Sequence, residues 1–312
     1  MFGKRVCDDK IVLNSQEYPI MNQTRESVEL CEEAAGQWIK SGMTIAIGEP
    51  APMGILRWIV RNRVVDLTII GSGLALDYLV ASGSVRKAIT YYAGSPEIAV
   101  TPAFRSEVEK GSLDVWECEE GILTSGLEAA GKGLPFMPWR GGVGTSLPDL
   151  NRDLKVMRDP ICNEVLIAVP AINVDIALLH ASTSDSYGNV QHCRGTGWLD
   201  LFLYRAAGRV IVQVEKMISN EEIRSKPWET TISNADAVVR LPYGAHPFYS
   251  RGHYIQDQKY VLGYLEAMKR VYKNGGRSEI DAYFEKYCYA LRSHAEYLDI
   301  ISMSHLMSLS EY

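Results

Sequence analysis

The sequence has no run of Lys or Arg that could neutralise several phosphates of a polymer. Its 32 basic residues are scattered among 38 acidic ones, for a net charge of -6, which argues against nucleic acid as a partner. No CxxC is present, and none of the six cysteines (7, 31, 118, 162, 193 and 288) stands at zinc-site spacing from a second cysteine and a histidine. They read as reduced, mostly buried thiols, and no metal is expected. No segment approaches the roughly 20 apolar residues that span a bilayer. The first 18 residues interleave Lys4, Arg5, Asp8, Asp9 and Lys10 with short apolar pieces rather than forming the apolar stretch of a secretory signal. The expectation is a cytoplasmic protein without a membrane partner. Neither a dinucleotide fingerprint nor a P-loop GK[ST] occurs, and there is no internal repeat or low-complexity tract.

What is present suits a large packed core, since 46% of 312 residues are apolar. Residues 1–24 carry little periodicity and read as an arm, leaving 25–312 as one domain. A helical face over Ser27–Ile39 precedes a short apolar strand, Met43–Gly48. The alternation then recurs: a helix over Met53–Arg63, a strand over Val65–Ile70 ending at Gly71-Ser72-Gly73, a helix over Leu74–Ser82, and a strand over Arg86–Tyr92 ending at Gly94-Ser95-Pro96. Short apolar runs bounded by glycine and separated by helices predict an α/β fold, a mostly parallel sheet flanked by helices. Further strands are read at Glu164–Val169, Val174–His180, Arg209–Val214 and Ala237–Leu241, and a helical C-terminal end at Ile255–Leu298, interrupted at Asn274-Gly275-Gly276. The glycine-rich stretch Gly131–Gly144 is too irregular for a helix and too apolar for a linker, and is expected to line a pocket.

Several residues could carry chemistry. Gly71, Ser72 and Gly73 lie between a strand and a helix, where backbone N–H groups can approach an anion, although tight strand-to-helix turns need glycine in any case. Gly94 and Ser95 repeat that arrangement with a hydroxyl that could donate to a carbonyl oxygen or simply cap a turn. In Glu117-Cys118-Glu119-Glu120-Gly121, at most one of Glu119 and Glu120 points into a pocket. Such a carboxylate could be a base or a nucleophile, and acidic residues also commonly begin helices. His180 ends an apolar strand and reads as a hydrogen-bonded structural residue, while His246, in PYGAHP, touches substrate or organises its loop.

In order, SGMTIAIG (41–48), VVDLTIIG (64–71), GLPFMP (133–138), VDIALLHAS with SYGN (174–189), ISNEEIR (218–224), PYGAHP (242–247) and the tail 282–301 together resemble the A subunit of class I coenzyme A transferases of the glutaconate type. The resemblance covers about Glu32 to Met303. It implies a CoA-transferase/NagB-like fold, a B-subunit partner in a heterotetramer or larger assembly, a coenzyme A thioester as substrate with no permanently bound cofactor, and an active site shared between subunits. It also implies that the B subunit supplies the nucleophilic glutamate and that Ser95 contacts substrate, with Gly71–Gly73 near the cleft. Where the glutaconate type carries a glycine-glycine-aromatic turn and an Arg-Lys-Pro, this chain has Gly48-Glu49-Pro50-Ala51-Pro52, so the resemblance does not extend to recognition of a second carboxylate. The stretch 119–148 looks more like the steroid-ring-cleaving hydrolase branch. There the resemblance implies a catalytic role for Glu120, with Arg140, Gly144 and Ser146 in the same shared stretch. Acyl-CoA to carboxylate transfer is thus the leading expectation, ring-cleaving hydrolysis the alternative, and a sugar or phosphosugar sensor a third reading from related folds.

Overall fold

Burial on both sides is what turns the apolar runs into strands, and the alternation of side chains shows it. The computed structural model describes residues 26–274 and 277–310, so the proposed arm at 1–24 and Gly275-Gly276 lie outside the described residues. Strands β1 (Thr44–Ile47), β2 (Leu67–Ile70), β3 (Val85–Thr90) and β4 (Asp114–Glu117) follow one another, separated by helices. A small unit holds β5 (Phe136–Trp139), β6 (Lys155–Arg158) and β7 (Val165–Pro170). The main sheet resumes with β8 (Val174–Ser184), β9 (Val190–Gln191), β10 (Ala207–Met217), β11 (Thr230–Ile232) and β12 (Ala237–Arg240). Seven strands run parallel in the order β12-β10-β8-β1-β2-β3-β4, and the short β9 and β11 add antiparallel pairs at the end of β8.

Successive residues point to opposite faces. Ile45, Ile69 and Leu178 therefore join one core, and Ala46, Ile70 and Leu179 join the other. Each fully buried aliphatic side chain contributes ~1.5–3 kcal/mol. On the first face lie α1 (Glu32–Gly36), α2 (Met53–Arg61), α3 (Gly73–Ser82) and the C-terminal helices Gln258–Asn274 and Ser278–Phe284. Helices Pro102–Glu109 (α4) and Glu120–Gly131 (α5) follow β3 and β4. Helix α2 is tied to the C-terminal region by the buried Arg57, which donates to the His246 carbonyl at 2.8 Å and stacks over the Tyr297 ring at 3.6 Å.

Three expectations change. The helix read over Ser27–Ile39 shrinks to Glu32–Gly36, because Val28 and Leu30 instead bond the backbone of Val238 at the sheet edge. Tertiary pairing has overridden a helical periodicity there. The strand read at Glu164–Val169 exists as β7, yet it pairs antiparallel with β5 and β6 in a separate sheet. Its hairpin is set by Asp159, whose carboxylate accepts the backbone N–H of Ile161, Cys162 and Glu164. Of the five described cysteines, only Cys118 and Cys288 are buried; Cys31 and Cys162 are exposed.

Buried ionisable groups set a pH dependence. Desolvation pushes His192 and His246 down to about 4 and His294 to about 3 from 6.5. Their contribution to stability is therefore present above about pH 6.5 and is lost as pH falls toward 4. Asp77 and Asp200, raised by burial to about 6, act oppositely, because the fold binds their protons before the unfolded chain does. Three histidines against two aspartates leave roughly one net proton taken up on unfolding near pH 5.5. The unfolding free energy is expected to fall by ~1.4 kcal/mol per pH unit there, as read by urea titrations at pH 7, 6 and 5. A stability that rises on acidification over that range refutes this balance.

Candidate active site

The chain runs from β1 outward to β4 and later fills the other side of β1 with β8, β10 and β12. The reversal leaves a crevice beyond the carboxyl ends of the strands, where open α/β sheets place ligands. A cavity of about 260 Å³ lies on this carboxyl-end side, on the β1-to-β3 flank of the reversal, lined by the loops after β1 (Gly48–Ala51), β2 (Gly71–Gly73) and β3 (Tyr91–Glu97), with Leu199, Phe248, Tyr249 and Gln256 closing the side.

Each loop is held by specific bonds. Glu49 N–H donates to the buried Asp200 carboxylate at 3.0 Å, which also accepts Gly197 N–H at 3.1 Å. Gly73 N–H donates to the Tyr92 carbonyl at 3.1 Å, stitching the second loop to the third. Gly73 lies at φ 59°, and a Cβ on Gly94 would sit 2.4 Å from the Ala99 carbonyl oxygen, so both positions require glycine. The N-terminus of α3 faces the cavity without a side-chain cap from Ser72, so its first N–H groups lack intrahelical acceptors. Ser72 instead accepts from the Tyr91 hydroxyl at 3.3 Å. Ser95 opens a tight turn closed by reciprocal backbone bonds with Ile98, and its Oγ accepts Glu97 N–H at 3.3 Å. Desolvation opposes ionisation of Glu97, but bonds from Ser95, Gln258 and Gln256 prevail and hold its carboxyl below the usual range.

The structure thus brings Gly71, Ser72, Gly73, Gly94 and Ser95 around one cavity. The acidic pair divides as expected of adjacent residues. Glu119 is the N-cap of α5 and accepts Gly121 and Ile122 N–H at 2.8 Å each and the Trp139 indole N–H at 2.7 Å. Glu120, at the first helical position, is exposed. It stands outside the cavity lining, yet close enough that its charge, after burial and together with that of Glu49, helps to raise the Tyr91 hydroxyl pKa.

The stretch Gly131–Gly144 does not line the cavity. It contributes β5 and a turn that packs Trp139 against Gly121 and Gly141, where a Cβ would lie within 2.4 Å of the indole. Arg140 pairs with Glu164 at the surface, and Gly144 and Ser146 are exposed on the following turn, away from the cavity lining. His246 is fully buried, its ring bonded to the Tyr297 hydroxyl at 2.7 Å and to Asp257 at 3.0 Å. Of its two readings, organising the loop is the one this placement favours, since burial denies it substrate. His180 is likewise buried, bonding Ser250 and Gln213 beside Glu215. Sequence reading missed Glu49, Tyr91 and Glu97 as lining groups, although each follows a strand end where small residues had already marked the ligand side. Among the described residues no cluster of His, Cys, Asp and Glu could hold a metal ion, and no helix is long and apolar enough to cross a membrane.

The Coenzyme A transferase family model matches residues 28–240. The chain is 34% identical to the cholesterol ring-cleaving hydrolase IpdA subunit of Rhodococcus jostii, over 76% of this chain and 86% of that one. It is 29% identical to the A subunit of glutaconate CoA-transferase from Acidaminococcus fermentans, over 89% and 92% of the two chains. The crystal structure of that transferase superposes with a TM-score of 0.84, covering 92% of this chain and 96% of that one. An uncharacterized protein of Archaeoglobus fulgidus is 35% identical over 91% of this chain, which spans 64% of that protein's length. The chain belongs to the coenzyme A transferase family. Within it, the fold is that of the glutaconate-type A subunit.

Proposed function

We propose that this chain is the A subunit of a heteromeric CoA-transferase that moves CoA between an acyl-CoA and a carboxylic acid. The observation that carries the reading is the cavity beyond β1, β2 and β3, whose uncapped α3 terminus and Ser95 can meet a developing oxyanion. A glutamate supplied by the B subunit attacks the thioester carbonyl and expels the CoA thiolate, leaving an acyl-glutamyl anhydride. The thiolate then attacks the glutamyl carbonyl, releasing the carboxylic acid product and leaving a glutamyl-CoA thioester on the partner. The acceptor acid reverses these steps. Exposed apolar side chains on the small sheet and its approach, Leu134, Phe136, Trp139 and Val156, fit coverage by a partner.

Co-expressed with its B subunit, the chain is expected to purify as an αβ pair or a multiple of it. Borohydride added with acyl-CoA should inactivate the complex by reducing a thioester on the partner and leave this chain unmodified. Full activity of the purified homomer, or a reductive label on Glu49, Glu97 or Glu120, overturns the assignment of roles.

A second reading is supported by the division of the acidic pair. Because Glu119 takes the capping bonds, Glu120 is left as a carboxylate near Tyr91. It would serve as the base that activates water for cleavage of a carbon-carbon bond in a cyclic β-diketone-like CoA ester.

A further inference from the structure

Two of the described residues that line the cavity are carboxylates, Glu49 and Glu97, and among those described residues none is Lys, Arg or His. Neither carboxylate has a salt-bridge partner among the described residues. Glu97 is fixed by neutral donors only, accepting from Gln256 Nε2 at 3.0 Å and Gln258 Nε2 at 3.2 Å. Glu49 lies in the loop after β1, its charge felt by both Tyr91 and the buried Asp200 behind it. The rest of the wall is apolar or aromatic: Ile47, Leu74, Leu199, Phe248, Tyr91 and Tyr249 among others.

A second carboxylate carried at the far end of an acyl chain, away from the reacting carbonyl at the α3 terminus, would lose solvation and meet two like charges with no cationic side chain among the described lining residues to offset them. An uncharged chain would meet surface that gains by burial. We infer that this site takes CoA esters of uncharged acyl groups and rejects those whose acyl chain ends in a second carboxylate, with Glu49 and Glu97 together as the determinants. The inference rests on the proposed role of the cavity as the acyl site. The two carboxylates act here by excluding the wrong charge rather than by contacting the right group, a common way to build selectivity.

The test uses two esters of equal chain length, pentanoyl-CoA and glutaryl-CoA, with the purified A–B complex. One like charge within roughly 10 Å at an effective dielectric near 20 weakens binding about tenfold. Two such charges give an expected preference on the order of 10²-fold for pentanoyl-CoA, measured by calorimetry. Glu49→Gln should reduce that ratio about tenfold, and Glu97→Gln, as an independent variant, should reduce it in the same direction. Equal or tighter binding of glutaryl-CoA by the wild-type complex overturns the inference while leaving the transferase reading intact. An unchanged ratio in both variants also overturns it. Binding of neither ester would overturn the CoA-ester reading itself, along with the selectivity built on it.

Discussion

Glu120→Gln is expected to lower turnover of a cyclic β-diketone CoA ester by on the order of 10² to 10⁴, the usual range for removing a general base, while changing acyl transfer by less than about tenfold. The substitution keeps the shape and hydrogen-bonding reach of the side chain and removes its basicity. Structure sharpens the comparison, because Glu119 already occupies the capping role at α5 and Glu120 is not needed for it. The neighbouring variant Glu119→Gln therefore reads something else. It weakens charge-assisted bonds to Gly121, Ile122 and Trp139 and is expected to cost ~1–2 kcal/mol of stability. A fall in kcat/KM for Glu120→Gln without a matching fall in melting temperature converts into lost transition-state stabilisation. Wild-type-like turnover of every substrate by Glu120→Gln eliminates the base role and leaves acyl transfer as the chemistry of this site.

The parallel half of the sheet was legible because strands covered on both faces must be apolar throughout, so Thr44–Ile47 and Leu67–Ile70 stand out from any polar background and end at glycine. The same reasoning located the ligand side, since Gly71–Gly73 and Gly94–Ser95 mark two of the three loops around the cavity. It failed where partners decide the outcome. Nothing local distinguishes β7, an antiparallel strand of the small sheet, from a strand of the main one. Strand β4, Asp114–Glu117, escaped because half of its residues are charged and it forms the sheet's edge. Glu119 and Glu120 are adjacent and alike in sequence, and what separates the cap from the unassigned carboxylate is where α5 begins, which gives Glu119 the Gly121 and Ile122 N–H groups, together with the Trp139 indole twenty residues on. His246 looks like a site residue in sequence because it follows a strand end in a turn. The groups that hold its ring, Asp257 eleven residues on and Tyr297 fifty-one residues on, follow no spacing that the turn itself announces.

Gly94→Ala should be the most damaging small substitution in the cavity, lowering kcat/KM about 10²-fold. The added methyl carbon would stand 2.4 Å from the Ala99 carbonyl oxygen and 2.8 Å from the Tyr92 hydroxyl. A backbone carbonyl cannot swing aside as a flexible side chain can, so the loop from Tyr91 to Ala99 must move. That loop carries Ser95, and through the Tyr92 carbonyl it also anchors Gly73 at the start of α3. A displacement of about 1 Å at groups that position a reacting carbonyl typically costs on the order of 10²-fold in rate, whereas the overpacking itself costs only ~1–3 kcal/mol of stability. Gly83→Ala supplies the contrast. Gly83 caps the far end of α3 at φ 81°, and a Cβ at that position would have nothing within 4 Å, so alanine there is strained in conformation, by ~1–2 kcal/mol, but displaces no neighbour. The two variants should therefore lose comparable stability in urea titrations and differ widely in kcat/KM. If Gly83→Ala loses as much activity as Gly94→Ala, the effect is one of global stability, and the loop after β3 is not what positions the substrate.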